Sequence, residues 1–289
     1  MKIACSTLVC PEWTLEEAAN NAAQMGYLGL EMRAFDEDDT LLASNPLHHD
    51  PQDIEAIFDR AGIEAISYAT GVTLDHPHVF PPVLGHLFID NEAPVKETKR
   101  FVDHAARADI DYVRIYPGTR QHGEPAAWSD RRIGERLVLA AQTARNTNTR
   151  VLIENTGSFA KAQDLLNLVE SYPSQWLGIS YNIAQGVFAG DDPIAAVQLL
   201  GDRLHTLKLA DADAEHHPAL LGEGVLPLRD TLVALQDTGS NAWAVYEHPR
   251  LWIKDERDPQ DVLSHAADTL YAWLGSTQPS NADPITTGA

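Results

Sequence analysis

Short runs of β-branched and aromatic residues alternate along the chain with longer stretches in which apolar positions recur every three or four residues. The short runs predict strands over 3–8, 28–33, 64–69, 112–116, 150–154, 177–182, 204–209 and 243–247. The stretches between them predict helices, and several carry explicit boundary signals. Thr14 followed by Glu17 reads as a capping box ahead of Ala18, Ala22 and Met25. Asp50 before Pro51 and Asp192 before Pro193 each set an N-cap oxygen ahead of a proline at the first helical position, where the missing N–H costs nothing. The helix with Ile54, Ile57, Phe58 and Ala61 should end at Gly62 in a left-handed cap. Ser129 is expected to cap the helix bearing Ile133, Leu137 and Ala141, and Val262, Ala266 and Leu270 form the stripe of the last helix.

Repeated strand–helix alternation predicts an α/β fold with parallel strands, and eight such units predict a (β/α)8 TIM barrel over 1–274. A doubly wound sheet is the alternative, but its glycine-rich turn is missing after the first strand, where Ser6 to Glu12 hold no glycine. The connection over 70–95, with His76, His78, Pro81, Pro82 and Phe88, exceeds the usual strand-to-helix loop and reads either as a lid over the catalytic face or as rim packing. Residues 275–289 read as a frayed tail.

Charge narrows the partners. Against 42 acidic residues stand 21 basic ones, a formal net charge of −21, which argues against a nucleic-acid backbone as partner. No apolar run is long enough to span a membrane, and the N-terminus has no secretory core, so a cytoplasmic protein is expected. Cys5 and Cys10 have no second pair to complete a zinc site and read as ordinary thiols. Homo-oligomerisation is left open.

A barrel carries its chemistry at the C-terminal ends of its strands. Several predicted ends are polar: Glu154 and Asn155 on the fifth strand, Asn182 and Gln185 on the sixth, Lys208 on the seventh, and Glu247 with His248 on the eighth. Strand parity turns Leu207 and Leu209 toward the helices, hence Thr206 and Lys208 into the barrel, with Glu154 likewise inward. Buried charges need partners, so Glu154, Lys208 and Glu247 read either as a structural ion-pair cluster or as a proton-transfer site beside a carbonyl. Glu31 and Arg33 on the second strand and Arg114 on the fourth read as structural ion pairs or as groups that hold a substrate hydroxyl or carboxylate. Trp13 and Trp252 are candidate apolar walls for a sugar ring, or plain packing. The pairs His48 with His49 and His216 with His217 read as solvated loop residues, and His248 as pointing away from the barrel axis.

Cys10-Pro-Glu-Trp13 after Ser6-Thr7, Gly26-Tyr-Leu-Gly-Leu-Glu31-Met-Arg33, Glu154-Asn155, the Leu221-Gly-Glu-Gly224 turn and the Glu247 strand together resemble the xylose isomerase-like barrels, sugar phosphate isomerases and epimerases related to abasic-site endonucleases. The resemblance implies a divalent metal (manganese, magnesium, cobalt or zinc) held by a glutamate of strand five, an aspartate of strand six, a histidine of strand seven and a glutamate of strand eight. Glu154 and Glu247 match the outer two and would also be the proton-transfer pair. Asn182 stands where the aspartate is usual, Gln185 where a histidine follows it, and Lys208 where the histidine is usual. Two readings stay open: a metal on Glu154, Asn182 and Glu247, or Lys208 in the metal's place as the electrostatic partner of both glutamates. The electrostatic role ranks above a Schiff base, because flanking carboxylates keep a lysine protonated.

The expected function is thus isomerisation or epimerisation of a small carbohydrate by proton abstraction alpha to a carbonyl, a related lyase reaction being a variant. Glu154, Glu247 and Lys208 are the expected catalytic residues, and Glu31, Arg33, Asn182, Gln185 and Arg114 the substrate-binding ones. A catalytically silent barrel that binds a sugar-like ligand or a protein partner is the competing class. Nuclease action is disfavoured by the acidic charge and the missing histidines.

Overall fold

A computed structural model describes residues 1–36, 41–75, 92–253 and 255–275. Eight parallel strands close into a barrel: β1 (Lys2–Ser6), β2 (Gly29–Arg33), β3 (Glu64–Thr73), β4 (Tyr112–Tyr116), β5 (Arg150–Glu154), β6 (Leu177–Asn182), β7 (Leu204–Leu209) and β10 (Trp243–Tyr246). Around the closed ring the order is β1-β10-β7-β6-β5-β4-β3-β2, with a two-stranded hairpin, β8 (Asp211–Ala212) and β9 (Pro218–Ala219), raised on the C-terminal face. The helices α1 (Leu15–Gln24), α2 (Pro51–Ala61), α3 (Ala93–Arg107), α4 (Ala126–Gln142), α5 (Ala162–Ser171), α6 (Ile183–Phe188), α7 (Pro193–Leu200), α8 (Leu228–Asp237) and α9 (Pro259–Leu274) lie between strands. This is the expected (β/α)8 architecture.

The predicted start signals operate as read. Thr14 and Glu17 form a reciprocal capping box, Asp50 and Asp192 cap helices that begin with proline, and Gly62 closes α2 at φ 73°. Ser129 differs: α4 begins at Ala126, and Ser129 lies buried in its first turns, where its hydroxyl donates to Glu124 and accepts from the Gln121 N–H. A second difference is at β3, which runs on to Thr73 where a loop was expected from Thr70. The rest of that segment, with His76, His78, Pro81, Pro82 and Phe88, lies outside the described residues, as does the tail beyond Gly275.

Two apolar layers follow from strand alternation. Ile3, Cys5, Leu30, Val113, Ile115, Ile153, Leu207 and Leu209 face the helices in the main core, while Ala4, Ile66, Trp243 and Val245 fill the barrel interior. Gly29 makes room there, since a Cβ at that position would lie 2.7 Å from Ile66 and 3.0 Å from the Trp243 ring. Cys5 and Cys10 are free and buried. Two register shifts re-aim interior side chains. Leu30 pairs with Ala65 and Glu31 with Ser67, so Ile66 stays in the inner core while Ser67 also faces inward. Ile179 pairs with Leu204 and Ser180 with Thr206, which leaves His205 at the opposite mouth, 2.7 Å from Arg150. Burial and the neighbouring Arg150 charge hold the His205 imidazole down at about 4. Thr206 and Lys208 face the interior as the parity argument requires.

Candidate active site at the barrel mouth

Lys208, next to last in β7, lies between Asn182 of β6 and Val245 of β10 in register, and its side chain is wholly buried. Its ammonium contacts Glu31 Oε1 and stands 3.4 Å from Glu247 Oε2. Burial alone would strip its proton, but Glu31, Glu247 and Glu154 outweigh that cost and raise its pKa. A lysine held protonated is no Schiff-base nucleophile. Its ammonium is out of contact with solvent and is held by Glu31 and Glu247.

The three carboxylates are held differently. Glu31 accepts from Ser67 Oγ at 2.9 Å and contacts Lys208; burial raises its pKa, but Lys208 and Arg114 overcome burial and the net direction is down. Glu154 accepts from Ser180 Oγ at 2.9 Å and lies 3.4 Å from Arg114 Nε. Glu247 follows β10 directly and accepts the Asn182 Nδ2 hydrogen at 2.8 Å. Burial, reinforced by the charges of Glu154 and Glu31, pushes the Glu247 pKa up despite Lys208. Its side chain is 14% exposed, the most of the three. Glu154 on β5 and Glu247 after β10 stand at the same mouth, three strands apart in the ring with β6 and β7 between them.

Asn182 is fixed by both ends of its amide. Its Oδ1 accepts the Gln185 N–H at 3.2 Å as the cap of α6, and its Nδ2 faces Glu247. A flipped amide would oppose oxygen to carboxylate and N–H to N–H. Asn155 supports this geometry from β5, accepting from the Asn182 N–H at 2.6 Å and donating to the Asn182 carbonyl at 3.1 Å. Gln185 enters only through its backbone, its side chain being exposed.

Arg33 and Arg114 converge on one oxygen: their Nη1 atoms donate to the Thr70 carbonyl at 2.9 and 2.8 Å. Arg114 lies over Tyr116, 4.2 Å from the ring centre, and Arg33 over Phe35 at 4.8 Å. Phe35 in turn meets the exposed Trp252 edge-on at 6.0 Å. Trp13 packs against the main core. His248 is buried away from the cluster and bonds Asp255 at 2.8 Å. Asp211, three residues after Lys208, is a structural anchor: it accepts the N–H groups of Ala212, Gly222 and Gly224 at 2.9, 2.9 and 3.1 Å.

The barrel matches the family model of the xylose isomerase-like TIM barrel over residues 19–273. The chain belongs to this family. No curated protein matches it by sequence. Among solved structures this xylose isomerase-like barrel is similar to L-ribulose 3-epimerase, with TM-score 0.77, 14% identity and 95% of each chain covered. It is also similar to 3-keto-D-glucoside 4-epimerase from E. coli, with TM-score 0.73, 15% identity and coverage of 95% and 99%. IolI protein with a bound zinc atom matches with TM-score 0.75, 13% identity and coverage of 95% and 98%.

The strand-end residues of this family member do not fit the divalent metal that the resemblance implies. Lys208 brings a cation to the histidine position, Asn182 turns a donor to the centre, and Arg114 already faces Glu154. Glu31, Glu154 and Glu247 are matched one for one by Lys208, Arg114 and Arg33, so a dication would enter a neutral set. The one cluster of metal-binding residue types among the described residues, Asp213, Glu215 and His217, is the exposed β8–β9 turn, where Asp213 accepts the Glu215 and His217 N–H groups at 2.9 Å. Sequence reasoning had no signal for Ser67, Ser180, Thr70 or Phe35; only the register shift and the strand partners reveal them.

Proposed function

We propose that this protein is a sugar isomerase or epimerase that moves a proton alpha to a carbonyl without a metal. The observation that carries the reading is the contrast between the surroundings of Glu154 and Glu247 at one mouth. Glu154 is lined by donors, from Ser180 and the facing Arg114. Glu247 is kept protonated to higher pH by burial and neighbouring carboxylates. Two carboxyl groups in such unlike surroundings can take different roles, Glu154 as base and Glu247 as acid.

In this reading Glu154 accepts the carbon-bound proton, and the electron pair of the broken C–H bond moves into the carbonyl to give an enediolate. Glu247, oriented by Asn182, hydrogen-bonds the developing oxyanion or returns a proton from the opposite face. Return at the same carbon from the other face inverts it; return at the neighbouring carbon isomerises the sugar, provided the hydroxyl proton of the new carbonyl carbon passes to the old carbonyl oxygen, a transfer Glu247 is placed to mediate. Lys208 is a positioning residue that keeps Glu31 and Glu247 in place. Phe35 and Trp252 supply an aromatic wall for a ring face. The epimerase neighbours support the substrate class, and a small carbohydrate is the proposed partner.

Solvent exchange tests the reading. Keto sugars incubated with the protein in D2O should lose the alpha C–H signal in the NMR spectrum, and Glu154→Gln or Glu247→Gln should slow that loss by about 10²–10⁴-fold. Binding of a sugar with no exchange in any keto sugar would favour a silent binding barrel instead.

A further inference from the structure

Each other buried cation of the mouth has a carboxylate against it: Lys208 has Glu31 and Glu247, and Arg114 has Glu154. Arg33 has none among the described residues. It ends β2 with the parity of Glu31, which sends its side chain into the mouth, and it is 9% exposed. Its single hydrogen-bonded nitrogen, Nη1, is spent on the Thr70 carbonyl, a neutral acceptor shared with Arg114. Nε is buried with no hydrogen-bond partner. Nη2 donates no hydrogen bond among the described residues and lies beside Gly71, which sets no side chain against it, a Cβ there being 3.6 Å away. Nε–H and Nη2–H are the two parallel donors with which a guanidinium grips a carboxylate. The Phe35 ring lies against the guanidinium, its centre 4.8 Å from Cζ. A buried cation with no carboxylate within ion-pair distance, and with a donor left empty on its fork, is costly.

We propose that Arg33 binds a carboxylate carried by the substrate through its Nε/Nη2 fork, which makes the substrate a sugar acid, an aldonate, uronate or keto acid. The inference rests on the proposed function for the carbohydrate part and deepens it. A carboxylate fits better than a phosphate. The free site is one planar fork, matched by two coplanar oxygens. Arg114 differs in that its charge already has Glu154 against it, 3.4 Å from Nε, besides the Thr70 carbonyl on Nη1.

The test is calorimetric binding, which needs no turnover. Hexuronates, aldonates and short keto acids are each titrated beside the neutral sugar and the phosphate ester of the same skeleton. At least one carboxylate should bind about tenfold or more tightly than its neutral counterpart, the worth of a charge-assisted fork. Arg33→Gln should erase that preference, and Arg33→Lys, which keeps the charge but not the fork, should retain only part of it, both with unchanged circular dichroism. Equal binding of acids and neutral sugars by the unmodified protein, no binding of any acid, or a preference that survives Arg33→Gln would overturn the proposal. Tighter binding of the phosphate esters would overturn the choice of carboxylate. Absence of proton exchange with an intact acid preference would overturn the proposed function alone.

Discussion

Asn182 presents a nitrogen, not an oxygen, to Glu247, at 2.8 Å, because its oxygen is committed to capping α6. On the next strand Lys208 stands 3.4 Å from the same Glu247, so that carboxylate meets an amide donor and an ammonium together. Either group alone would weaken a metal site there.

That coupling predicts the metal behaviour. Elemental analysis after loading with manganese, cobalt, zinc or magnesium should find no stoichiometric ion at the mouth of the unmodified chain. Asn182→Asp combined with Lys208→His should create a site that binds about one ion per chain, since four anionic or neutral donors would then converge. Stoichiometric metal lost on Glu154→Gln in the unmodified chain would refute the cluster reading.

Removing Lys208 should cost stability well beyond a surface charge. Lys208→Met leaves Glu31 and Glu247 buried without their counter-charge, and about 3–5 kcal/mol of destabilisation is expected in urea melts. Adding Glu31→Gln should recover part of it. A simple sum of the two single losses would show that the contact carries no coupling.

The carboxyl groups set opposite pH trends. Glu247 has a raised pKa, so between the ordinary glutamate value and its own the folded state binds more protons than the unfolded chain, and stability falls as pH rises through that window. Glu31 has a lowered pKa, so its contribution is present above the ordinary value and is lost as pH drops below it. Glu247→Gln should abolish the falling limb and leave the acid limb of Glu31. Denaturation at a series of pH values distinguishes the two; an unchanged falling limb in that variant would exclude Glu247 as its source.

At the other end of the barrel, Gly178 has no room for a side chain: a Cβ would lie 2.2 Å from His205 and 2.8 Å from Leu152. Gly178→Ala should therefore cost about 1–3 kcal/mol by overpacking. Proton exchange should be unaffected once the variant is folded, because the strain is at the mouth remote from Glu247. Loss of exchange at full stability would show that the two mouths communicate.

Much of this architecture is legible in the chain. Alternation located the strands to within a few residues, and the parity of Leu207 and Leu209 was enough to bring Lys208 inside. Pairing was not legible. Lys208 meets Glu31 across 177 positions of sequence, and no local pattern says which of three inward glutamates a lysine will choose. Nor does a sequence show which end of an amide faces inward, since that depends on the helix that Asn182 caps. The shift that turns Ser67 onto Glu31 is likewise a property of paired strands and not of either one.

The burial of the cluster separates two kinds of electrostatics in one molecule. The surplus of 21 negative charges is carried mainly by exposed side chains, where dissolved salt screens it within about 10 Å at 0.1 M. Lys208, Glu31, Glu154 and Arg114 are out of reach of that ionic atmosphere. Brine can therefore quiet the self-repulsion of the outer shell while leaving the proton affinities at the mouth as they were, so solubility and chemistry answer to ionic strength independently.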